Sequence, residues 1–130
     1  MLVRNSLPIM IDGFFNYKQL KGYIMSKIPK RYRYFMEKFP DVGSAYENLG
    51  DAVHNSGPLD DKTRALIKVA ISTAAHLEGA VHSHTRKAMK AGCLPEEIRH
   101  AVIMSLPTIG FPSMMAALSW VDDILDDKDV

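Results

Sequence analysis

Cysteine is almost absent from this chain, since Cys93 is the only one among 130 residues. A single cysteine cannot form a disulfide within the chain, and it cannot supply the several thiolates of a cysteine-based zinc site. The thiol content therefore fits a reducing, cytoplasmic setting.

Long apolar runs are absent as well. No run approaches the ~20 apolar residues that a membrane-spanning helix needs. The apolar stretch of residues 7–11 is too short for a signal peptide, and Asp12 closes it. We therefore expect no membrane partner.

A strong net charge is the third absence. The formal net charge is +1, so the chain as a whole has no general attraction to nucleic acid. The charges are unevenly placed, because residues 1–38 carry eight Lys or Arg and residues 121–130 carry five Asp. We interpret this as mutual attraction of the two ends, within a subunit or between subunits, and we expect no nucleic-acid partner.

Helical spacing of apolar residues dominates the sequence, and no segment shows the alternation of a strand. The pattern predicts helices over about residues 17–28, 30–39, 41–53, 61–76, 78–92, 95–109 with a kink at Pro107, and 113–125. Tyr32, Phe35 and Phe39 recur at helical spacing, which favours core packing. The predicted fold class is all-α, a compact orthogonal bundle of about six helices in one domain of residues 1–130. Residues 1–57 form N-terminal helices in this interpretation, and residues 121–130 form an acidic tail that frays.

The segment Ala65–Ala75 is apolar nearly all round the predicted helix. Such a helix is buried on most of its sides. In a chain of 130 residues, this pattern indicates burial against another subunit as well as against its own.

The next segment, Glu78–Gly92, contains two histidines on different faces of the predicted helix, because each residue advances ~100°. His84 lies in an apolar stripe with Leu77 and Ala80, and His82 lies one turn after Glu78. Any chemistry of this protein is therefore predicted on this helix.

Three segments, taken together, resemble the carboxymuconolactone decarboxylase family, the wider group that includes alkylhydroperoxidase D-like proteins. They are Leu59–Ile67, then His82–Gly92 with Pro95–Ile98, and Gly110–Pro112. They cover roughly residues 58–120, in the order and spacing of the family. The resemblance implies an alkylhydroperoxidase D-like helical core and a homo-oligomer, either a trimer or a hexamer.

The peroxidase branch of this family carries Cys-x-x-Cys-x-x-x-His on this helix and a glutamate on the preceding one. In this chain the histidine falls on His84, the cysteine positions are Leu77 and Ala80, and the glutamate position is Ala65. Thiol peroxidation needs a thiolate and a resolving thiol, so we expect no such activity. Cys93 fits a small loop residue, and a redox role for it between subunits stays open as a further hypothesis.

The decarboxylase branch also lacks the cysteines, and its likeness to this chain includes the segment that begins at His84. It implies a cofactor-free lyase acting on a small-molecule carboxylate or lactone, which loses CO2 and leaves an enolate. Such a site needs an apolar pocket, an oxyanion donor and a proton source. We hypothesise that His84 is the proton donor, that Glu78 orients His82 as a second catalytic imidazole, and that Arg86 anchors an acidic substrate.

Other interpretations stay open. In the first alternative, His84 is a core histidine whose ring nitrogens form hydrogen bonds with neighbouring groups. The chain is then a non-catalytic oligomeric binding protein. Glu78 and His82 are also consistent with a solvent-facing pair on the helix. A metal site would need more of His76, Glu78, His82 and His100 to converge, and two ligands are too few for zinc. No metal and no cofactor are therefore predicted.

Overall fold

The computed structural model describes residues 28–127. In this range the chain forms seven helices and no strand, which confirms the predicted all-α class. The helices are α1 Lys30–Lys38, α2 Pro40–His54, α3 Asp61–Ala74, α4 Glu78–Lys90, α5 Pro95–Ile103, α6 Leu106–Ile109 and α7 Phe111–Leu125. The helix predicted over residues 17–28 lies almost wholly outside the described residues. None of the described helices is long and apolar enough to cross a membrane.

The chain divides into two compact units between Gly57 and Pro58. In the first unit, α1 packs on α2, and the Tyr32 hydroxyl donates to Glu47 Oε1 at 3.2 Å. Tyr32, Phe35 and Phe39 are all exposed. The prediction that these aromatics pack in a core is therefore wrong for the single chain.

The helix ends of the second unit follow local sequence signals. Asp60 is the N-cap of α3, where its Oδ1 accepts the backbone N–H of Thr63 at 2.8 Å. Gly92 follows α4 with φ of +90°, the left-handed conformation that favours glycine at this position. Leu94 has no acceptor in its side chain, and the Glu97 carboxylate instead accepts the Leu94 N–H at 2.7 Å. The last contact is half of a capping box.

Two proline junctions differ from the predictions. The helix predicted to begin at about residue 41 begins at Pro40, and Phe39 is its N-cap. Pro107 does not kink one long helix. Instead α5 ends at Ile103, and Pro107 lies at the start of the separate short helix α6, since proline fits the first turn of a helix and disrupts its interior.

The core of the second unit is built by α3, α4, α5 and α7. Its buried apolar side chains are Val69, Val81, Ala88, Cys93, Ile98, Val102, Met114, Ala117 and Val121. Because α4 packs against both α3 and α7, one of its faces is covered along its length. The candidate histidines lie on either side of that face.

Within the second unit, helix α3 is buried along one face only, and its predicted burial against another subunit stays a prediction. Val69, Ser72 and Thr73 are buried, whereas Ile67 is 41% exposed and Ile71 is 62% exposed. One apolar face of α3 is therefore left uncovered by the other helices of its own unit.

Candidate functional site

The core-facing line of α4, formed by its buried residues, lies between the flanks that carry the two histidines. Val81, Thr85 and Ala88 are buried, and the Thr85 hydroxyl donates to the Val81 carbonyl at 2.7 Å. This differs from the predicted apolar stripe, because Leu77 is the N-cap and is 55% exposed. His82 and His84 are each partly buried on opposite flanks of this line.

His82 contacts a carboxylate of α7. Its Nε2 lies 3.0 Å from Oδ2 of Asp123, and the two side chains are 23% and 57% exposed. Glu78 joins them, since one ligand atom from each of Glu78, His82 and Asp123 lies within 4.8 Å of the others. The predicted pair of Glu78 and His82 is therefore brought together, with Asp123 as an additional member.

The sequence predictions do not include Asp123 as a site residue. It falls inside the helix predicted over residues 113–125, but also inside the segment of residues 121–130 that is interpreted as a fraying acidic tail. The helical register of α7 is the signal that could have identified it. Asp123 lies between the buried residues Val121 and Ile124, inside a helix that continues to Leu125. A residue at that position is held by the helix and flanks its buried face.

The neighbouring acids of α7 are also paired. Arg99 of α5 donates to Asp122 at 2.8 Å and to Asp126 at 3.1 Å. The hydrogen bond to Asp122, with the two negative charges nearby, raises the pKa of Arg99 further above its ordinary value. Asp122, Asp123 and Asp126 thus contact α4 and α5 of their own unit.

His76 lies at the corner between α3 and α4, with its ring 5.0 Å from that of Trp120 and tilted by 56°. Its φ of +59° is in the left-handed region, which costs a non-glycine residue energy. His76 and His100 are not among the three residues whose ligand atoms converge. Of the residues considered for a metal site, only Glu78 and His82 come together.

His84 lies on the other flank of α4, three residues after buried Val81 and four before buried Ala88. Arg86 is exposed. Because two residues of a helix are separated by about 200°, Arg86 points away from His84 and shares the flank of His82. Within one chain, His84 and Arg86 therefore do not serve a single pocket.

The thiol chemistry of the peroxidase branch has no counterpart on α4, where its two cysteine positions hold Leu77 and Ala80. Cys93 is buried, and its Sγ donates to the Lys62 carbonyl at 3.7 Å. Burial raises the pKa of the Cys93 thiol and so disfavours the reactive thiolate. The environment of Cys93 is that of a packed structural residue.

An apolar groove of about 340 Å³ lies on a different part of this unit, between α3 and α5. Its walls are Leu66, Ile67, Ala70, Glu97, His100, Ala101 and Met104. None of Glu78, His82, His84 and Arg86 lines it. The groove and the candidate catalytic residues are therefore separate features.

Comparisons with known proteins agree with this fold. The chain is 32% identical over 89 residues to an uncharacterized protein of Methanocaldococcus jannaschii, covering 68% of this chain and 86% of that protein. It is also similar to the crystal structure of an apo carboxymuconolactone decarboxylase family protein from Legionella pneumophila. That similarity has a TM-score of 0.67 at 25% identity, and covers 81% of this chain and 94% of the other.

The family model described as "Carboxymuconolactone decarboxylase family" matches residues 40–123, which includes α2 as well as the segments from residue 58 onwards. The match spans the helix that carries His82 and His84 and ends at Asp123. This chain therefore belongs to the carboxymuconolactone decarboxylase family.

Proposed function

We propose that this protein is a cofactor-free lyase of the decarboxylase type, acting on a small acidic lactone or a related carboxylate. The observation that supports this is the position of His84 on α4, partly buried and flanked along the helix by the buried side chains of Val81 and Ala88. An imidazole titrates near neutral pH, so one that borders the apolar core is suited to proton transfer away from bulk water.

The reaction requires one proton and no redox partner. The bond between the lactone ring and its carboxylate carbon breaks, CO2 leaves, and the electron pair enters the conjugated carbonyl to form an enolate. His84 then protonates the enolate carbon. Apolar surroundings favour loss of the charged carboxylate, because they solvate it poorly while the negative charge spreads over the enolate.

His84 is preferred to His82 as the proton donor because the histidine of the family's peroxidase branch falls on His84, whereas Nε2 of His82 forms a pair with Asp123 at 3.0 Å on the other flank of α4. Glu78 and His82 remain a second pair of candidates on the other flank of α4. Arg86 shares their flank, so it is proposed as an anchor for an acidic substrate only where a substrate reaches that side of the helix.

We propose in addition that the protein is a cytoplasmic homo-oligomer, a trimer or a hexamer, in which copies of the chain cover the exposed face of α3. Ile71 is 62% exposed there, and Met104 on the neighbouring α5 is 66% exposed. Large apolar side chains at that exposure, on adjacent helices, are typical of an interface between protein chains. Such an interface would also enclose the groove between α3 and α5.

A second candidate function is that of a non-catalytic binding protein for small molecules. The apolar groove between α3 and α5 favours it, because a shallow, open apolar surface of about 340 Å³ would gain enough depth for a ligand if another copy of the chain covered it. None of the candidate catalytic residues lines this groove, so a molecule bound there would not meet His84 in the same chain.

One experiment separates the two candidates. The purified protein is incubated with the carboxylated lactone from which the family takes its name, and CO2 release and lactone consumption are followed together. Equimolar release of CO2 supports the lyase. Binding of the lactone by calorimetry without any CO2 release supports the binding protein.

A further inference from the structure

We propose that Glu78, His82 and Asp123 form a binding site for one divalent transition-metal ion of the Zn²⁺ class, joining α4 to α7. Sequence reasoning predicted no metal because only two potential ligands stood together on one helix. The third comes from α7, 41 positions further along the chain from His82. The proposal does not depend on the role of His84.

The three side chains lie near the spacing that a metal site requires. Glu78 and His82 are one turn apart on α4, and their ligand atoms lie within 4.8 Å of each other and of Asp123. Nε2 of His82 is 3.0 Å from Oδ2 of Asp123. Ligands at about 2.1 Å from a tetrahedral Zn²⁺ are separated by about 3.4 Å, so small side-chain rotations suffice to close the site.

The donor set selects the class of ion. One imidazole nitrogen with two carboxylate oxygens suits Zn²⁺ and neighbouring first-row ions. Ca²⁺ and Mg²⁺ prefer sites made of oxygen alone. Three protein ligands also leave a coordination position for water or another small ligand.

The position of the cluster allows an ion to enter. The Asp123 side chain is 57% exposed and that of His82 is 23% exposed, so the site opens to solvent while its imidazole is anchored. An ion there would link the first two turns of α4 to the C-terminal half of α7. Since these residues are assembled only in the folded chain, binding would stabilise the fold.

The competing interpretation is a plain hydrogen bond between His82 and Asp123 with Glu78 nearby. The two differ in what Zn²⁺ does to the protein. A metal site binds one Zn²⁺ per chain and raises the melting temperature, whereas a hydrogen bond gives neither effect.

The test uses the full chain without a histidine tag, treated with chelator and titrated with Zn²⁺ by calorimetry. We expect one Zn²⁺ per chain and a melting temperature raised by roughly 5 °C or more under saturating Zn²⁺. His82→Ala and Asp123→Asn are each expected to weaken binding at least tenfold and to abolish the rise. Glu78→Gln, in an exposed first turn, is also expected to weaken binding. It is the variant that tests the site if the other two variants fold poorly.

Each ligand variant has a matched control outside the cluster. These are His100→Ala on α5, Glu96→Gln in the first turn of α5, and Asp126→Asn one turn beyond Asp123, and each is expected to bind Zn²⁺ as the wild type does. The proposal is overturned if the wild type fails to bind at millimolar Zn²⁺. It is equally overturned if the control variants weaken binding as much as the ligand variants, because the ion would then be held elsewhere.

Discussion

The imidazole of His82 lies 3.0 Å from the carboxylate of Asp123, and this contact links α4 to the C-terminal half of α7. Next to it, Arg99 makes the corresponding link from α5 to Asp122 and Asp126. The acidic C-terminal end of α7 therefore contacts side chains of two other helices, and Asp123 lies at the candidate site as part of this set of contacts.

Replacing Arg99 by alanine is expected to lower stability by about 1 kcal/mol or less, because its ion pairs with Asp122 and Asp126 are partly exposed and screened by water. The loss is measured by urea unfolding at low and at high salt. It is expected to shrink at high salt, as screening weakens the pairs in the wild type. A loss that is unaffected by salt would point to lost packing of the arginine side chain.

Lowering the pH is expected to destabilise the second unit, in part because the carboxylate of Asp60 becomes protonated. Hydrogen bonds from the Thr63 hydroxyl and backbone N–H lower the pKa of Asp60 in the folded chain. Its contribution is therefore present above the unfolded value of about 4 and is lost as pH falls through the folded pKa. Asp60→Asn keeps the cap without the titration, so its urea midpoint is expected to fall less than that of the wild type between pH 6 and pH 3.

Asp60→Ala provides the contrast for this experiment. It removes the acceptor for Thr63, and its urea midpoint is expected to be lower than that of Asp60→Asn at pH 6 as well as at pH 3. Identical pH profiles for the wild type and Asp60→Asn would contradict the role of this carboxylate.

Ile98 is expected to be among the most sensitive core positions, since it is fully buried where α3, α4, α5 and α7 meet. Ile98→Ala should cost about 2–5 kcal/mol, from lost apolar burial and the cavity left behind. Ile103→Ala, on the same helix but exposed, is the matched control and should cost far less. Both values come from urea unfolding followed by circular dichroism, and equal losses would contradict the described core.

Ile71→Glu is expected to dissociate the proposed oligomer, because it places a charge on the exposed apolar face of α3. The molar mass is measured by light scattering after size exclusion. Met115→Glu, at another exposed apolar position on α7, is the control and should leave the mass unchanged. A wild-type mass of one chain at micromolar concentration would contradict the oligomer.

Much of the fold was predictable because its signals are local. The predicted first residues of three helices, 61, 78 and 95, agree with the observed starts at Asp61, Glu78 and Pro95, because each start depends on a few adjacent residues. Pro107 was misjudged because a proline within an apolar pattern is consistent with either a kink or the start of a new helix. Only packing decides between them.

The candidate site was predictable only in part, because one of its members depends on the packing of two helices. Helical spacing pairs Glu78 with His82, but the approach of Asp123 depends on how α7 packs against α4, which no single-segment pattern encodes. The helix wheel also placed Leu77 in the apolar stripe, whereas it is an exposed N-cap residue and Thr85 is buried in the core-facing line. The orientation of a helix within a fold depends on its neighbours.

The most direct test of the proposed function is the turnover number for CO2 release from the carboxylated lactone, measured for the wild type and for His84→Gln. The substitution removes the proton donor and keeps a side chain of similar size, so we expect turnover to fall about 100-fold or more, with the melting temperature and the oligomer unchanged. His54→Gln on α2 is the matched control and is expected to retain wild-type turnover. Equal turnover in His84→Gln and the wild type would contradict the role of His84 as the proton donor.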